Sequence, residues 1–345
     1  MEHPATLAGS VSVAYLQGLV EHLERHGVAA PALLARARLT PALLQQRERR
    51  VAASAYLQLL GEGCRLSGDD CLGLHLGEAV RPGYYGVLGH LVMSCATLGD
   101  ALHRQARYAS LVGSLGRVGL DDEPSRAGCE ALVAHSWAPF LVQQQRQVSE
   151  ETLAGWVSFG RWITGLDIPP SEVRFRHAAP ADTSEHQRIF RCPVLFEQAD
   201  NALVFPKRLL NLPLSQADAQ VRAMFEGYAE RLLAELEQGR SVLDRARLIL
   251  AQQLPEQGAD LQAIASALAL SPRTLQRRLG EAGLSFSQLV DETRQQLVLH
   301  ALHEPSLDLG EIAFRVGFSE PGSLLRAFRR WTGTTPGEYR RHLGA

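Results

Sequence analysis

No stretch of the chain approaches the roughly 18 consecutive apolar residues a membrane helix needs, and the first 30 residues interleave Glu2, His3, Glu21, Glu24 and Arg25 with their apolar positions. That pattern excludes a spanning helix and a secretion leader, so a cytoplasmic address with no membrane partner is expected. Cysteine is sparse. The five thiols (Cys64, Cys71, Cys95, Cys129, Cys192) are scattered, odd in number and free of any C-x-x-C pair, which excludes a disulfide framework and reads as reduced core residues. No His/Asp/Glu cluster has ligand spacing and no phosphate loop or nucleophile motif is present, so no cofactor or metal is expected and an enzyme is disfavoured. Cys71 and His75, four apart, have the spacing of a thiolate–imidazole pair without a third group nearby to orient them. His135 and His177 stand alone on strand-like segments.

An excess of positive charge is missing too. The formal net charge is −2, divided into +2 from residue 240 onward and −4 before it. Such a balance gives little non-specific attraction to a polyanion, so recognition of nucleic acid must rest on a few positioned arginines. Lys207 is the only lysine among 35 basic residues, a composition bias more than a choice of guanidinium chemistry. What remains is ordinary for a soluble protein: 46% hydrophobic and 21% charged residues. A length of 345 residues allows two domains.

The most informative stretch is written twice. Asp260-Leu261-x-x-Ile264-Ala265 up to Ser271 recurs as Asp308-Leu309-x-x-Ile312-Ala313 up to Ser319, an offset of 48. After Ser319 one extra residue enters, and Leu275/Leu324, Arg277/Arg326 and Leu279/Phe328 align at 49. Each copy reads as a helix-turn-helix. Asp260 and Asp308 suit N-caps, and Leu261, Ile264 and Leu268, like Leu309, Ile312 and Val316, recur at helical spacing. Gly317 sits where a tight turn needs positive φ. Ser271-Pro272 and Ser319-Glu320-Pro321 open a second helix in each copy, with serine as the expected cap. If Leu275/Leu279 and Leu324/Phe328 face inward, then Arg273, Thr274, Gln276 and Arg277 face outward in one copy. Gly322, Leu325, Arg326 and Arg329 do so in the other. Arg and Gln on an exposed helix can read base edges in a major groove or clamp phosphates.

Residues 245 to 343 therefore resemble the DNA-binding domain of the AraC/XylS family of bacterial transcription regulators. The likeness runs through Ser271-Pro272-Arg273-Thr274-Leu275-Gln276-Arg277-Arg278-Leu279, Arg294 of the long middle helix and Ile312-Ala313-x-x-Val316-Gly317-Phe318. It continues through Arg326-Ala327-Phe328-Arg329-Arg330-Trp331-x-Gly333-x-Thr335-Pro336-x-x-Tyr339-Arg340. The resemblance implies DNA contact by Arg273, Thr274, Gln276 and Arg277, and by Glu320, Gly322, Ser323 and Arg326 in the second copy. Arg329, Arg330, Arg340 and Arg341 are phosphate candidates, and Arg294 is expected to join the two halves through an acidic residue or helix end. Two features depart from the family pattern: Leu324 and Leu325 stand where an aromatic and a small hydroxyl residue are usual. Gly322 also weakens its helix by about 1 kcal/mol relative to Ala.

The first 213 residues mix periods. Helices are expected over 10–26, 31–37, 41–47, 52–64, 97–111 (opened by Thr97 or Asp100), 149–165 and 184–190, and strands over 116–120, 130–137 and 173–177. Val194-Leu195-Phe196 and Ala202-Leu203-Val204-Phe205 suggest a hairpin around Asp200-Asn201, and a long amphipathic helix is expected from Pro213 to about Glu237. Gln238-Gly239-Arg240-Ser241 reads as a linker, with Ser241 and Asp244 as a capping box. Tyr84, Tyr85, Trp137, Trp156 and Trp162 could line a pocket or simply fill the core. Pro82-Gly83-Tyr84-Tyr85-Gly86, Thr97-Leu98-Gly99-Asp100-Ala101-Leu102 and Asn211-Leu212-Pro213-Leu214 are similar to the arabinose-binding-type regulatory domain. That domain occurs in regulators of amino-acid catabolism, ornithine utilisation among them, and of virulence.

The expected organisation is an α+β regulatory domain (1–213), a helix and linker with a possible dimer seam (214–240), and an all-α DNA-binding domain (241–345). The last holds two helix-turn-helix motifs joined by a long helix. The resemblance implies an activator of a metabolic or virulence operon that binds double-stranded DNA, RNA polymerase and a small-molecule effector (amino acid, polyamine or fatty acid) and forms a homodimer. An effector-independent repressor or architectural DNA-binding protein is the alternative.

Overall fold

A computed structural model describes residues 9–123, 130–139, 145–239, 242–254, 258–302 and 307–343. The chain divides into two compact units, one of Ser10–Pro139 with Gln144–Leu236 and one that contains Glu237–Ala345. Among the described residues no helix is long and apolar enough to cross a membrane.

The N-terminal unit runs β1 (Ser10–Ser12), α1 (Val13–Arg25), α2 (Ala30–Arg36), β2 (Arg50–Ala52), α3 (Ala53–Ser67), α4 (Leu72–Glu78), α5 (Val87–Met93) and α6 (Leu98–Val112). It continues with β3 (Gly116–Asp122), β4 (Leu132–Pro139), α7 (Gln145–Thr164), β5 (Glu172–Arg174), α8 (Ser184–Phe190), β6 (Val194–Leu195), β7 (Asn201–Pro206) and α9 (Ala219–Gly239). Strands β3 to β7 form a five-stranded sheet in the order β3-β4-β7-β5-β6. All neighbours are antiparallel except β5 and β6, which run parallel. Period-two alternation turns Val133, His135 and Trp137 of β4 to one face. On that face Val133 joins Leu203 and Phe205 in a core with Leu153, Ala154 and Val157 of α7.

Helix α4 lies directly against α7 because two glycines permit it. A Cβ on Gly73 would stand 2.1 Å from the Gln147 carbonyl oxygen, and one on Gly77 2.5 Å from that of Glu151. Of the two expected starts of this helix, Thr97 and Asp100, the structure takes the first: Thr97 caps α6 by accepting from the Asp100 amide at 3.2 Å.

The helix expected from residue 10 begins only at Val13, because Ser10–Ser12 pair with β2 as a strand, and two larger expectations change. The hairpin of residues 194–205 does not form: β5 lies between β6 and β7. Glu197 and Gln198 donate their amides to the carbonyls of His177 and Phe175, which carries the chain past the end of β5 instead of turning it back on itself. The long helix starts at Ala219, not Pro213. Asp218 caps it, accepting from the Gln220 and Val221 amides at 2.8 and 3.0 Å, while the amides of Leu214 and Ser215 bond to Ala96 and Ile163. Its stripe of Phe225, Leu232, Leu233 and Leu236 packs onto the core of the N-terminal unit around Leu91 and Tyr108. Val221 and Met224 stay exposed.

The C-terminal unit is helical: α10 (Val242–Gln253), α11 (Leu261–Ala267), α12 (Pro272–Glu281), α13 (Phe286–Ala301), α14 (Leu309–Arg315), α15 (Pro321–Thr332) and α16 (Pro336–Leu343). The expected linker falls partly within α9, and Ser241 of the expected capping box lies outside the described residues.

Candidate nucleic-acid interface

The two repeats fold into matching helix-turn-helix units. Asp260 accepts from the Gln262 amide at 2.9 Å and Asp308 from the Glu311 amide at 2.7 Å, which satisfies donors that a helix start leaves open. Each turn closes through the same backbone bond, Leu270 N–H to the Ala265 carbonyl and Phe318 N–H to the Ala313 carbonyl, both 2.9 Å. The residue of positive φ is Ala269 (55°) in the first turn and Gly317 (79°) in the second. Ile264, Ala265, Ile312 and Ala313 are fully buried beneath the turns.

In α12 the Ser271 hydroxyl accepts from the Thr274 amide at 3.1 Å and Pro272 begins the helix. Leu275 and Leu279 are buried, and Arg273, Gln276, Arg277 and Arg278 are exposed. Thr274 is half-buried beside the Ser271 hydroxyl at 2.8 Å. Arg277 reaches Glu281 at 2.8 Å with both side chains largely in solvent, a pair of little worth that a phosphate or base can displace.

The second reading helix begins differently from expectation. Its cap position is Glu320, not Ser319, and the Glu320 side chain makes no capping bond. The residue inserted after Ser319 moves the start by one, and the carboxylate turns outward to Arg326 at 2.8 Å and Ser323 at 3.1 Å. Those two donors hold the Glu320 carboxyl below its ordinary range, Arg326 contributing most. Arg326 also donates to the Ser323 hydroxyl at 3.0 Å. Leu324, Ala327 and Phe328 are buried, Gly322 is half-buried, and Leu325, Arg329 and Arg330 are exposed. Arg330 meets Asp291 of α13 at 2.7 Å.

The middle helix joins the halves. Arg247 of α10 meets Glu292 of α13 at 2.7 Å. On α13, Arg294 donates to the carbonyls of Val316 and Gly317 at 3.3 and 2.9 Å and lies 4.7 Å over the Phe318 ring. Arg294 therefore bonds a helix end, one of the two partners expected for it. A contact that sequence reasoning missed lies opposite: a Cβ on Gly317 would stand 2.3 Å from the Leu254 carbonyl oxygen at the end of α10. Only the glycine itself signalled it.

The other candidates separate cleanly. His75 is held by Asp69 at 2.7 Å and Glu185 at 3.0 Å, and burial pushes the Cys71 thiol up, so no thiolate–imidazole pair is assembled. No group of three metal-ligating residues occurs among the described residues. Tyr85, Trp137 and Trp156 line cavities of the N-terminal unit, whereas Trp162 is exposed and Tyr84 bonds Glu21 at 2.6 Å.

Two helix-turn-helix units on one central helix, in a chain that also carries a separate α+β unit, define a DNA-binding transcription regulator. The chain belongs to the AraC family: residues 27–214 match the arabinose-binding domain of AraC transcription regulators and residues 264–342 a helix-turn-helix domain. It is 31% identical over 330 residues to the ornithine utilization regulator of Pseudomonas aeruginosa, covering 96% of each chain. It is 25% identical over 342 residues to the transcriptional regulator VirS of Mycobacterium tuberculosis, covering 98% of each.

Proposed function

We propose that this regulator is a cytoplasmic, effector-responsive activator that reads an asymmetric half-site with α12 and α15. In this reading Arg273, Thr274, Gln276 and Arg277 contact one major groove. Glu320, Gly322, Ser323, Arg326, Arg329 and Arg330 approach the next, about 34 Å along the duplex. The observation that carries it is the exposed face of α12, where three polar side chains (Arg273, Gln276, Arg277) stand over two fully buried leucines. The α15 face is poorer in donors, since Leu325 is exposed and Arg326 is engaged by Glu320. The half-site under α15 therefore tolerates base changes better than the one under α12.

The N-terminal unit senses a small molecule, and its cavities support that reading. The name of the Pseudomonas relative makes ornithine one candidate, beside polyamines and fatty acids. The exposed Val221 and Met224 of α9 support a homodimer through that helix, and RNA polymerase is the partner of the DNA-bound form. Selection of bound sites from random DNA by the full chain, followed by transcription with RNA polymerase on the selected site, tests the reading. Unequal information in the two halves and ligand-dependent stimulation are expected. Equal information in both halves, or transcription indifferent to the regulator, would overturn it.

A further inference from the structure

The inner face of the sheet and helices α5, α6 and α7 line two adjoining, partly open chambers of about 110 and 90 Å³. They share the walls Tyr85, Val92, Gln105, Trp156 and Phe159. Most of the lining is carbon, and among the described residues neither chamber is lined by an aspartate or a glutamate. Among the described residues the single cation in the lining is Arg161, whose buried Nε makes no hydrogen bond but whose charge is matched by Asp167. Arg161 donates to the carbonyls of Ile189 and Phe190 at 2.8 and 3.4 Å and lies 3.1 Å from a carboxylate oxygen of Asp167. Two hydroxyls are spent on their own helix, Thr152 on the Val148 carbonyl and Thr164 on that of Gly160, both at 2.7 Å.

His135 is different. It is 1% exposed, stacks on Trp156 with ring centres 3.8 Å apart, and lines the larger chamber. Among the described residues its Nε2 has no hydrogen-bond partner. A buried polar atom left unmatched costs about 1–3 kcal/mol, so this nitrogen is a standing cost unless something meets it. Burial holds the imidazole neutral, its pKa pushed down to about 3.

We infer that these chambers take an uncharged, mainly apolar molecule whose one polar group bonds Nε2 of His135, an inference that rests on the effector-sensing reading above. An ammonium ligand such as ornithine or putrescine would be buried without a carboxylate, and a carboxylate ligand without a free cation; both lose heavily to water. A neutral amphiphile loses only its own hydrogen bonds and recovers one at His135, while its chain covers Tyr85, Val92 and Phe159. Gly160 of α7 lines the larger chamber, and a Cβ there would meet nothing within 4 Å. A larger side chain at that position therefore grows into the open space without disturbing the helix.

The test is tryptophan fluorescence of the full-length protein titrated with 1-octanol, octanamide, octanoate, ornithine and putrescine, read beside operator occupancy. The neutral probes are expected to bind about tenfold or more tighter than octanoate, and the two amines to give no saturable signal. His135→Phe keeps the ring on Trp156 and removes the nitrogen; it is expected to weaken the neutral probes about fivefold or more, the worth of one hydrogen bond. Gly160→Leu is expected to abolish their binding without lowering the ligand-free melting temperature, which keeps the test intact if the histidine variant folds poorly. Tighter binding of octanoate or either amine, no binding of any neutral probe, or neutral binding unaffected in both variants would overturn the inference. If a charged probe alone shifts operator occupancy, the ligand class fails and effector control stands. If neutral probes fill the chambers and occupancy stays fixed, effector control fails and the ligand class stands.

Discussion

Arg294 donates to the carbonyl oxygen of Gly317 across 2.9 Å, and the same guanidinium rests 4.7 Å above the Phe318 ring. One side chain of α13 thus holds the carbonyl of Val316, which caps the negative end of α14, and that of Gly317 in the turn before α15. Arg294→Ala is expected to cost about 1.5–3 kcal/mol, the range for hydrogen bonds from a charged donor. Arg294→Lys should restore less than half, since an ammonium cannot span two carbonyls and stack on a ring at once. Thermal denaturation of the full chain checks both, and a lysine variant as stable as the parent would contradict the account.

Equivalent turn positions in the two repeats should respond with opposite signs. Gly317 has φ 79° and no room for a Cβ, which would stand 2.3 Å from the Leu254 carbonyl oxygen. Gly317→Ala therefore combines left-handed strain of about 1–2 kcal/mol with a backbone clash and should weaken DNA binding as α15 shifts. Ala269 adopts φ 55° and already carries that strain. Ala269→Gly removes it at the cost of added unfolded-state freedom, so its stability should equal the parent's or exceed it by up to about 1 kcal/mol. A pair of melting curves decides the matter.

The N-terminal unit holds a pH dependence at Glu151, whose carboxyl is 6% exposed and accepts from the Tyr56 hydroxyl at 2.6 Å. Burial pushes its pKa up to about 7, against the opposing hydrogen bonds of Tyr15 and Tyr56. Between the ordinary glutamate pKa of about 4.3 and the folded value of about 7, the folded state keeps a proton that the unfolded state has lost. Stability from this group therefore declines as pH rises through that window and stays low above it, by a total of about 4 kcal/mol. Glu151→Gln keeps an acceptor for Tyr56 and cannot ionise. It should match the parent near pH 4 and exceed it above pH 7; equal stability at both values would remove Glu151 as the cause.

Legibility followed the range of the interaction that fixes each element. Caps and turns are local, so Asp260, Asp308, Ser271 and the offset of 48 are readable, and the structure places each cap as read. Residues 194–205 also looked local, yet β6 pairs with β5, some 20 residues upstream, and no residue near Asp200 announces that competition. Ser319 and Glu320 illustrate a finer failure: the shift by one residue was visible, but not that the carboxylate would leave the helix amides for Arg326. The chambers behind His135 depend on packing among four elements, and only the scattered aromatics hinted at them. Gly73 and Gly77 were visible as glycines, while the backbone of α7 against which they lie was not.

Arg277 and Arg326 occupy matching positions on the two reading helices but differ in what holds them. Among the described residues Arg277 bonds the solvent-exposed Glu281 alone, side chains 64% and 55% exposed, whereas Arg326 bonds both Glu320 and Ser323. Exposed pairs of this kind add little to stability, so neither Arg277→Ala nor Arg326→Ala should shift the melting temperature appreciably. Their effects on DNA should separate. Arg277→Ala is expected to cost about 1–3 kcal/mol on the selected site and to relax preference under α12. Arg326 must leave Glu320 before it can face the duplex, and the carboxylate left behind repels phosphate, so Arg326→Ala should cost less. Gel-shift titrations at two salt concentrations measure both, with Arg273→Ala as the control for a phosphate contact that lowers the salt slope by about 1. Equal losses for Arg277→Ala and Arg326→Ala would show that Glu320 does not restrain its partner, and an undiminished affinity for Arg277→Ala would remove α12 as the principal reader.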